Sequence, residues 1–470
     1  MSIPINPAIF RAYDIRGLVD IDLTDDVYFM LGQATGTHFR QSGTQMMVVG
    51  RDARLSSPHF QTALMEGLRS TGINVTDIGQ VPTPVMYFAV EHLHADGGAV
   101  VSASHNPPQY NGLKLRLSHS RYGSEPVSGS VIQEIGRIAR SGQFVQGSGA
   151  LSQTDVSDAY VRSVASHIRL PAHFRPRVVL DGGNGVAGPL GVRTLEAVGI
   201  DVTPLYIEPD GTFPNHHPDP LKPENVRDLI AAVRKTNADM GIALDGDGDR
   251  LGVVDSNGVM VMADRYLIVL ARYLLSQRKG AVIFDVKCST VLEDAILALG
   301  GEPIMWKTGY SNISAKMRET DAVLGGELSG HTFATFPKHY YDDGTFAGAH
   351  LLYALNQLHS DAVIPAPSLV AALASYSTLP ALPEERLFFS EETKFRVIDY
   401  VRQYFADRYP VIDIDGVRVN FGDGWGLVRP SNTEAAITTR FEAQTEVRLQ
   451  AIRATMLEAV EEFRARTGGK

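Results

Sequence analysis

The sequence predicts an α/β protein of three related α/β units followed by an α+β domain. Three observations predict it. A strand, loop, helix, glycine, strand pattern occurs three times. Each occurrence is followed by a short apolar strand that ends in a polar, glycine-containing loop. The pattern then stops near residue 370.

The first unit opens on MMVVGRD (46–52), continues through a helical stretch to about Ser70, and passes Thr71-Gly72 into the strand INVTDIG. The second opens on RVVLDGG (177–183), runs helical to Val198, and passes Gly199 into IDVTPLY. The third opens on AVIFDVK (281–287), continues through VLEDAILAL, and passes Gly300-Gly301 into EPIMWKTG. The glycines read as helix C-caps. Strands alternating with helices predict a mainly parallel sheet covered on both faces. The second halves are HADGGAVVSASHN (94–106), NADMGIALDGDGD (237–249) and TDAVLGGELSGH (320–331). Ligands bind beyond the carboxyl ends of strands in such sheets. Three equivalent strand ends therefore present a serine loop, a carboxylate loop and a Glu/Ser/His loop.

Beyond residue 370, LPALPEERLF reads as a linker and ETKFRVIDYVRQYFADRY as a helix. VIDIDGVRVNF reads as a hairpin turning at Asp415-Gly416. GWGLVRPSNTEAAITTRFEA holds two further strand-like runs around a polar loop, and a helix from about Glu446 to Arg466 follows. The predicted domains are 1–153, 154–257, 258–370 and 371–470.

Composition excludes several classes. The 470 residues suffice for about three domains at ~150 residues each. A net charge of −10 argues against nucleic-acid or anionic-membrane binding, which need a basic face. The single cysteine, Cys288, excludes a disulfide framework and a multi-cysteine metal site. The N-terminal MSIPINPAIFRAYDIRG has no basic segment followed by an apolar run, and no apolar stretch approaches a membrane span. A cytoplasmic monomer is expected.

LDGDGDR (244–250) is the strongest local signal. Asp245, Asp247 and Asp249 repel one another unless a cation sits among them, and oxygen ligands suit Mg²⁺ or Ca²⁺ rather than zinc. An EF-hand counted from Asp245 would need glycine and glutamate where Arg250 and Ser256 stand, between helices rather than strand-like flanks. A haloacid-dehalogenase-like Asp-x-Asp-x-Thr is broken by Asp249 at its fifth position.

In AVVSASHNPPQYNGLK (99–114) two prolines bar a continuing strand and leave Ser104 on a stiff turn without the Gly-x-Ser-x-Gly elbow. A hydroxyl beside a bound divalent cation is a natural phosphoryl acceptor and donor. In GGELSGH (325–331), Glu327 and Ser329 stand two apart and suit vicinal sugar hydroxyls. In GWGLVRPSNTE (424–434), Arg429, Ser431, Asn432 and Thr433 suit a phosphate. Arg11 and Arg16 add basic side chains. The adjacent His216 and His217 point to opposite faces of an extended chain and read as structural, and Cys288 reads as packed.

Together these loops resemble the α-D-phosphohexomutase superfamily, in particular its bacterial phosphomannomutase/phosphoglucomutase group. FRAYDIRG, SASHNP, DGDGDR, GELSGH and RPSNT occur in the family's order, from Phe10 to about Ala443. The resemblance implies three related α/β domains with mixed sheets plus a C-terminal α+β domain, arranged around a central cleft. It implies reversible phosphoryl transfer between the 1- and 6-positions of glucose and/or mannose phosphates. Ser104 matches the serine phosphorylated in the active enzyme. Asp245, Asp247 and Asp249, with a phosphoserine oxygen, match the ligands of one Mg²⁺ per chain. Glu327 and Ser329 match the sugar clamp, and Arg429, Ser431, Asn432 and Thr433 match the grip on the non-reacting phosphate. Tyr13, Arg16, Lys114, Arg250, Lys287 and His331 fall where the group places active-site contacts.

Arg16 and Lys114 would add positive charge at the transfer, and either Lys114 or His331 could move the hydroxyl proton. Glucose 1,6-bisphosphate is implied as activator and intermediate. The partners are small-molecule sugar phosphates. GELSGH is typical of the glucose/mannose group, whereas glucosamine mutases have glutamine at the Leu328 position. In well-known dual-specificity members a histidine stands where this chain has Tyr310. Tyrosine is a poor base at neutral pH, so Tyr310 is expected to bind rather than to accept a proton. Two other readings use the same loops: a Mg²⁺-dependent phosphatase that admits water, and a non-catalytic sugar-phosphate binder.

Overall fold

The computed structural model describes residues 5–119, 123–335, 340–431 and 435–467. The three units share one sheet order. In the first, Met46–Arg51 lies between Asn74–Gln80 and Gly97–Val101, both parallel to it, and Tyr110–His119 returns antiparallel to Gly97–Val101. In the second, Arg177–Asp181 lies between parallel Asp201–Leu205 and Met240–Leu244, with Leu251–Asp255 antiparallel to the latter. In the third, Ala281–Asp285 lies between parallel Glu302–Trp306 and Leu324–Gly326, with Thr332–Ala334 antiparallel to the latter. Each sheet thus orders its repeated strands second, first, third, fourth. The returning fourth strand makes the sheets mixed, where the sequence pattern alone predicts mainly parallel ones. The first sheet gains three more strands: Ile15–Leu18 and Gly123–Pro126 beside Tyr110–His119, and Leu151–Gln153 beside Asn74–Gln80.

The helix stops are where the glycines place them. Gly199 ends the helix Gly188–Val198 at φ +105°, a conformation that costs a side chain but not glycine, and Gly72 and Gly300 have the same sign of φ. The chemistry-bearing loops follow the third strand of each unit. They converge because the units share a core. Helix Ala263–Gln277 is buried almost all round, from Tyr266 through Leu275. It belongs to one hydrophobic cluster with Leu180 and Ile242 of the second sheet, Phe284 of the third, and Val85 and Tyr87 of the first unit's helix Thr83–His92. Packed interiors deform little, so this shared core fixes the spacing of the three loops.

The fourth unit is a five-stranded antiparallel sheet in the order Glu385–Phe388, Ala436–Ala443, Gly424–Pro430, Val417–Asn420, Val411–Ile412. Helices Glu391–Ala406 and Glu446–Thr467 bury Val397, Val401, Phe405, Leu449, Ile452 and Met456 against it. Glu385–Phe388 corrects the sequence reading, which places these residues in a linker. The strand is an edge held by backbone pairing to Ala436–Ala443, with Phe388 exposed, so no run of apolar residues announces it.

The fourth unit is docked on the third. Buried Arg418 donates to the carbonyls of Val286 (2.6 Å) and Cys288 (2.9 Å) and stacks on Trp425 at 3.6 Å. The Glu442 carboxylate accepts from Trp425 Nε1 (2.9 Å) and from Thr290 N (3.2 Å), at the positive end of helix Thr290–Ala298. Among the described residues no helix is long and apolar enough to cross a membrane.

Candidate active site

Ser104 follows the strand Gly97–Val101 on a turn that holds it at φ +50°, a left-handed conformation worth roughly 1–3 kcal/mol of strain in a non-glycine residue. Its side chain is buried. Its Oγ donates to Asp245 Oδ2 at 2.7 Å and lies 3.2 Å from His105 Nδ1. Its backbone N–H donates to Ser102 Oγ at 3.0 Å. The glycines of the facing loop make this approach possible. A Cβ on Gly246 would stand 2.5 Å from the Ser104 carbonyl oxygen, and Gly248 has φ +78°. The alternation of aspartate with glycine is therefore steric as well as electrostatic.

Asp245, Asp247 and Asp249 are fully buried, and each offers a carboxylate oxygen within 4.8 Å of the others'. Asp247 Oδ2 accepts from Thr83 Oγ1 (2.7 Å), Ser102 Oγ (3.2 Å) and Lys114 Nζ (2.7 Å). Lys114 also donates to Asp249 Oδ2 at 2.5 Å. Arg250 Nε lies 3.8 Å from Asp245 Oδ2. Burial pushes the Asp245 carboxyl well up, with Asp249 and Asp247 adding repulsion, and burial likewise raises Asp249. Burial would raise Asp247 as well, but Lys114 outweighs it and holds Asp247 well below the usual range. Asp247 Oδ1 and Asp249 Oδ1 are buried with no hydrogen-bond partner among the described residues. Unpaired buried carboxylate oxygens are costly. A metal ion is what such a donor set fits.

The third loop faces this cluster. Glu327 is buried and accepts from Gly309 N at 2.6 Å, and burial raises its carboxyl. Its Oε2 has no partner among the described residues. Ser329 is half-buried on the same loop. His331 accepts from Arg250 Nε through Nε2 at 3.1 Å. Its Nδ1 lies 2.8 Å from Asp342 Oδ2 and 3.7 Å from Asp249 Oδ1, as ion pairs without hydrogen-bond alignment. Burial would lower His331, but Asp249 and Asp342 outweigh it and raise it.

Arg16 donates to Asn106 Oδ1 (2.8 Å) and Asp14 Oδ2 (2.5 Å), beside the serine loop. Tyr13 donates to the Thr308 carbonyl at 2.9 Å, and Tyr310 donates to the Tyr13 carbonyl at 3.0 Å. Their rings meet edge to face at 6.2 Å, so this pair ties the first unit to the third. Burial raises the Tyr310 hydroxyl further above its usual value. Arg429 is buried and donates to Asp415 Oδ2 at 3.0 Å, and the same oxygen accepts from Thr308 N at 3.0 Å. Arg429 Nη2 has no partner among the described residues. Lys287 lies 3.6 Å from Asp285 Oδ2 and 3.7 Å from Glu384 Oε2. Ser431 is buried and its carbonyl accepts from Lys394 Nζ at 2.7 Å. Asn432 and Thr433 lie outside the described residues.

Four family models, described as phosphoglucomutase/phosphomannomutase α/β/α domains I, II and III and C-terminal domain, match residues 7–145, 158–258, 262–372 and 389–459. The chain belongs to the phosphoglucomutase/phosphomannomutase family.

The mutase is 41% identical over 453 residues to phosphomannomutase/phosphoglucomutase of Pseudomonas aeruginosa, covering 96% of this chain and 95% of that one. It is 40% identical over 451 residues to phosphoglucomutase of Neisseria gonorrhoeae, covering 94% and 95%. The crystal structure of a phosphoglucomutase/phosphomannomutase family protein from Burkholderia thailandensis superposes with a TM-score of 0.89 at 41% identity, over 98% of each chain. An N-acetylglucosamine-phosphate mutase of the α-D-phosphohexomutase superfamily, at 13% identity and TM-score 0.62 over 97% of each chain, shares the fold. The mutase is accordingly an enzyme, an isomerase.

Sequence reasoning misses several groups that the mutase brings to this site. Asp52, Arg54, Thr83 and Asp415 reach it from distant parts of the chain, and Ser102 and Asp342 lie close in sequence to Ser104 and His331. GRDAR, at the end of the first strand, is the one local signal for the first two.

Proposed function

We propose that Ser104 is the residue through which this phosphomutase moves a phosphoryl group between positions 1 and 6 of a hexose, by way of a 1,6-bisphosphate. The observation that carries this reading is the buried Ser104 hydroxyl, 2.7 Å from Asp245 Oδ2, at the edge of the Asp245–Asp247–Asp249 cluster. Phospho-Ser104 gives its phosphoryl group to the free sugar hydroxyl. The P–O bond to serine breaks as the P–O bond to sugar forms, and the hydroxyl proton leaves. The bisphosphate turns end for end, and Ser104 recovers the other phosphoryl group. A Mg²⁺ ion held by Asp245, Asp247 and Asp249 would neutralise charge on the transferring group.

Lys114 donates to Asp247 and Asp249 and adds positive charge at the transfer. Either Lys114 or His331 moves the hydroxyl proton. Glu327 and Ser329 hold the sugar hydroxyls. Arg429, with Ser431, Asn432 and Thr433, grips the phosphate that is not reacting. Arg16, Arg250 and Lys287 line the path of the anionic ligand. The buried Tyr310 closes the wall of the site through Tyr13. Glucose and mannose phosphates are the substrates this set suits.

The test is a coupled assay with glucose 1-phosphate, Mg²⁺ and a trace of glucose 1,6-bisphosphate, run in parallel with mannose 1-phosphate. Glucose 6-phosphate without inorganic phosphate is expected, and the two rates rank the sugars. Inorganic phosphate as the main product would remove Ser104 from this role.

A further inference from the structure

Arg54 is 1% exposed, follows the strand Met46–Arg51, and carries none of the chemistry above. A guanidinium has five N–H donors. All five are used. Nε donates to Asp52 Oδ2 at 3.1 Å. Nη1 donates to the carbonyls of Pro107 (2.7 Å) and Tyr110 (3.0 Å). Nη2 donates to the carbonyls of Ser104 (2.8 Å) and Asn106 (2.5 Å). Four acceptors are thus backbone carbonyls of the serine loop itself. Asp52 is anchored in turn by Ser57 Oγ (2.6 Å) and by Arg54 N (3.0 Å). From the second unit, the Phe213 ring covers the guanidinium at 5.3 Å.

We infer that Arg54 is the positioning residue of the phosphoryl-carrying serine, the group that holds Ser104 in its left-handed conformation through both halves of the reaction. The inference rests on the proposed role of Ser104. The reasoning is geometric. A single non-glycine residue at φ +50° persists only where its surroundings over-determine it. Ser104 has a side-chain bond to the carboxylate cluster, a side-chain contact with His105 Nδ1 and a backbone bond to Ser102. Arg16 and short-range backbone bonds hold parts of the loop, but one rigid planar fork alone gathers the carbonyls of positions 104, 106, 107 and 110. Lysine has three donors on a flexible stem and cannot reproduce that fork. With the serine fixed, the bisphosphate must be the part that turns.

The experiment compares full-length, phosphorylated wild type, R54K and R54M. For each, kcat and KM for glucose 1-phosphate are measured with glucose 1,6-bisphosphate priming, together with the ³¹P NMR signal of phospho-Ser104. The expected result is that kcat falls about 10²-fold while KM stays within about threefold, because a misplaced donor lowers turnover without removing the grip or the clamp. The phosphoserine resonance should shift or broaden. Should neither Arg54 variant fold, D52N, which frees the Nε edge of the fork, carries the test with the same split expected. Wild-type kcat in a folded variant overturns the inference, as does a rise in KM that matches the fall in kcat. Phosphate on wild-type Ser104 with wild-type turnover in R54K overturns this inference alone. No phosphate on wild-type Ser104 overturns both it and the reading on which it rests.

Discussion

Ser104 Oγ and Asp245 Oδ2 meet at 2.7 Å although 141 positions separate them. Both residues stand just past the third strand of their own unit, so repetition of one sheet order delivers them to one place. Replacing Ser104 by alanine would remove the proposed phosphoryl carrier and leave the proposed sugar and phosphate contacts in place. Turnover should fall by more than about 10³-fold while calorimetric binding of glucose 1-phosphate changes little. Retained turnover would exclude Ser104 as carrier.

Metal removal should act on stability as well as rate. The unpaired Asp247 Oδ1 and Asp249 Oδ1 would be relieved by a cation that binds only the folded chain. Chelation should abolish turnover, and Mg²⁺ at about 100 times its Kd should restore it and add about 2.7 kcal/mol of stability. Thermal melts with and without Mg²⁺ check this, and equal melting temperatures would count against the cluster as the metal site.

Arg429 shares Asp415 Oδ2 with the backbone of Thr308 in the third unit. Its spare Nη2 is the donor available to a phosphate. Arg429→Ala should raise KM by about 30-fold or more, the effect of about 2 kcal/mol from a lost charge-assisted contact, with a smaller change in kcat. An unchanged KM would remove Arg429 from the grip.

Gly309 sits at φ +122°, and a Cβ there would stand 2.6 Å from the Tyr13 ring. Gly309→Ala should displace Tyr13 and break its contacts with the third unit. Loss of about 2–3 kcal/mol of stability is expected, together with weaker sugar-phosphate binding. Tyr310→Phe should be milder, about 1 kcal/mol, since it deletes only the bond to the Tyr13 carbonyl. Denaturant titration distinguishes the two, and a larger loss for Tyr310→Phe would contradict this account.

His216 provides a pH test away from the reaction. Its Nε2 lies 3.1 Å from Asp181 Oδ2, and although burial opposes its charge the Asp181 carboxylate raises it above the ordinary histidine value. A histidine raised on folding contributes stability that is complete below its unfolded value near ~6.5 and disappears as pH rises through the folded one. His216→Gln should therefore cost roughly 1.5 kcal/mol at pH 5.5 and much less at pH 8.5. An equal loss at both would mean that the pair contributes through packing alone.

The parts of this molecule that repeat or cluster locally are legible in the sequence. The three strand-end loops are visible because strand and helix periods alternate around them, and the Asp-Gly alternation announces charge crowding within five residues. What is hidden is polar pairing over long separations. Lys114 meets Asp247 and Asp249 from 133 and 135 positions away, and the acceptors of Arg54 lie up to 56 positions ahead of it. Hydrophobic periodicity carries no record of such bonds. The Glu385–Phe388 edge is hidden for a related reason: backbone pairing and the Arg453–Glu385 pair hold it, and only Leu387 of the four residues packs on the core.

That edge strand narrows where the fourth unit can turn. Arg265 ties the carbonyls of Tyr376 (3.0 Å) and Ser377 (2.6 Å) to the third unit's long helix. From Pro380 onward the chain is bonded to the fourth unit's sheet, through Ala443 N to the Pro380 carbonyl and Leu382 N to the Phe441 carbonyl. Only Thr378 and Leu379 stand between the two attachments. A rotation of the fourth unit against the rest therefore has its axle at this dipeptide, and the linker behaves as a short pin rather than a tether.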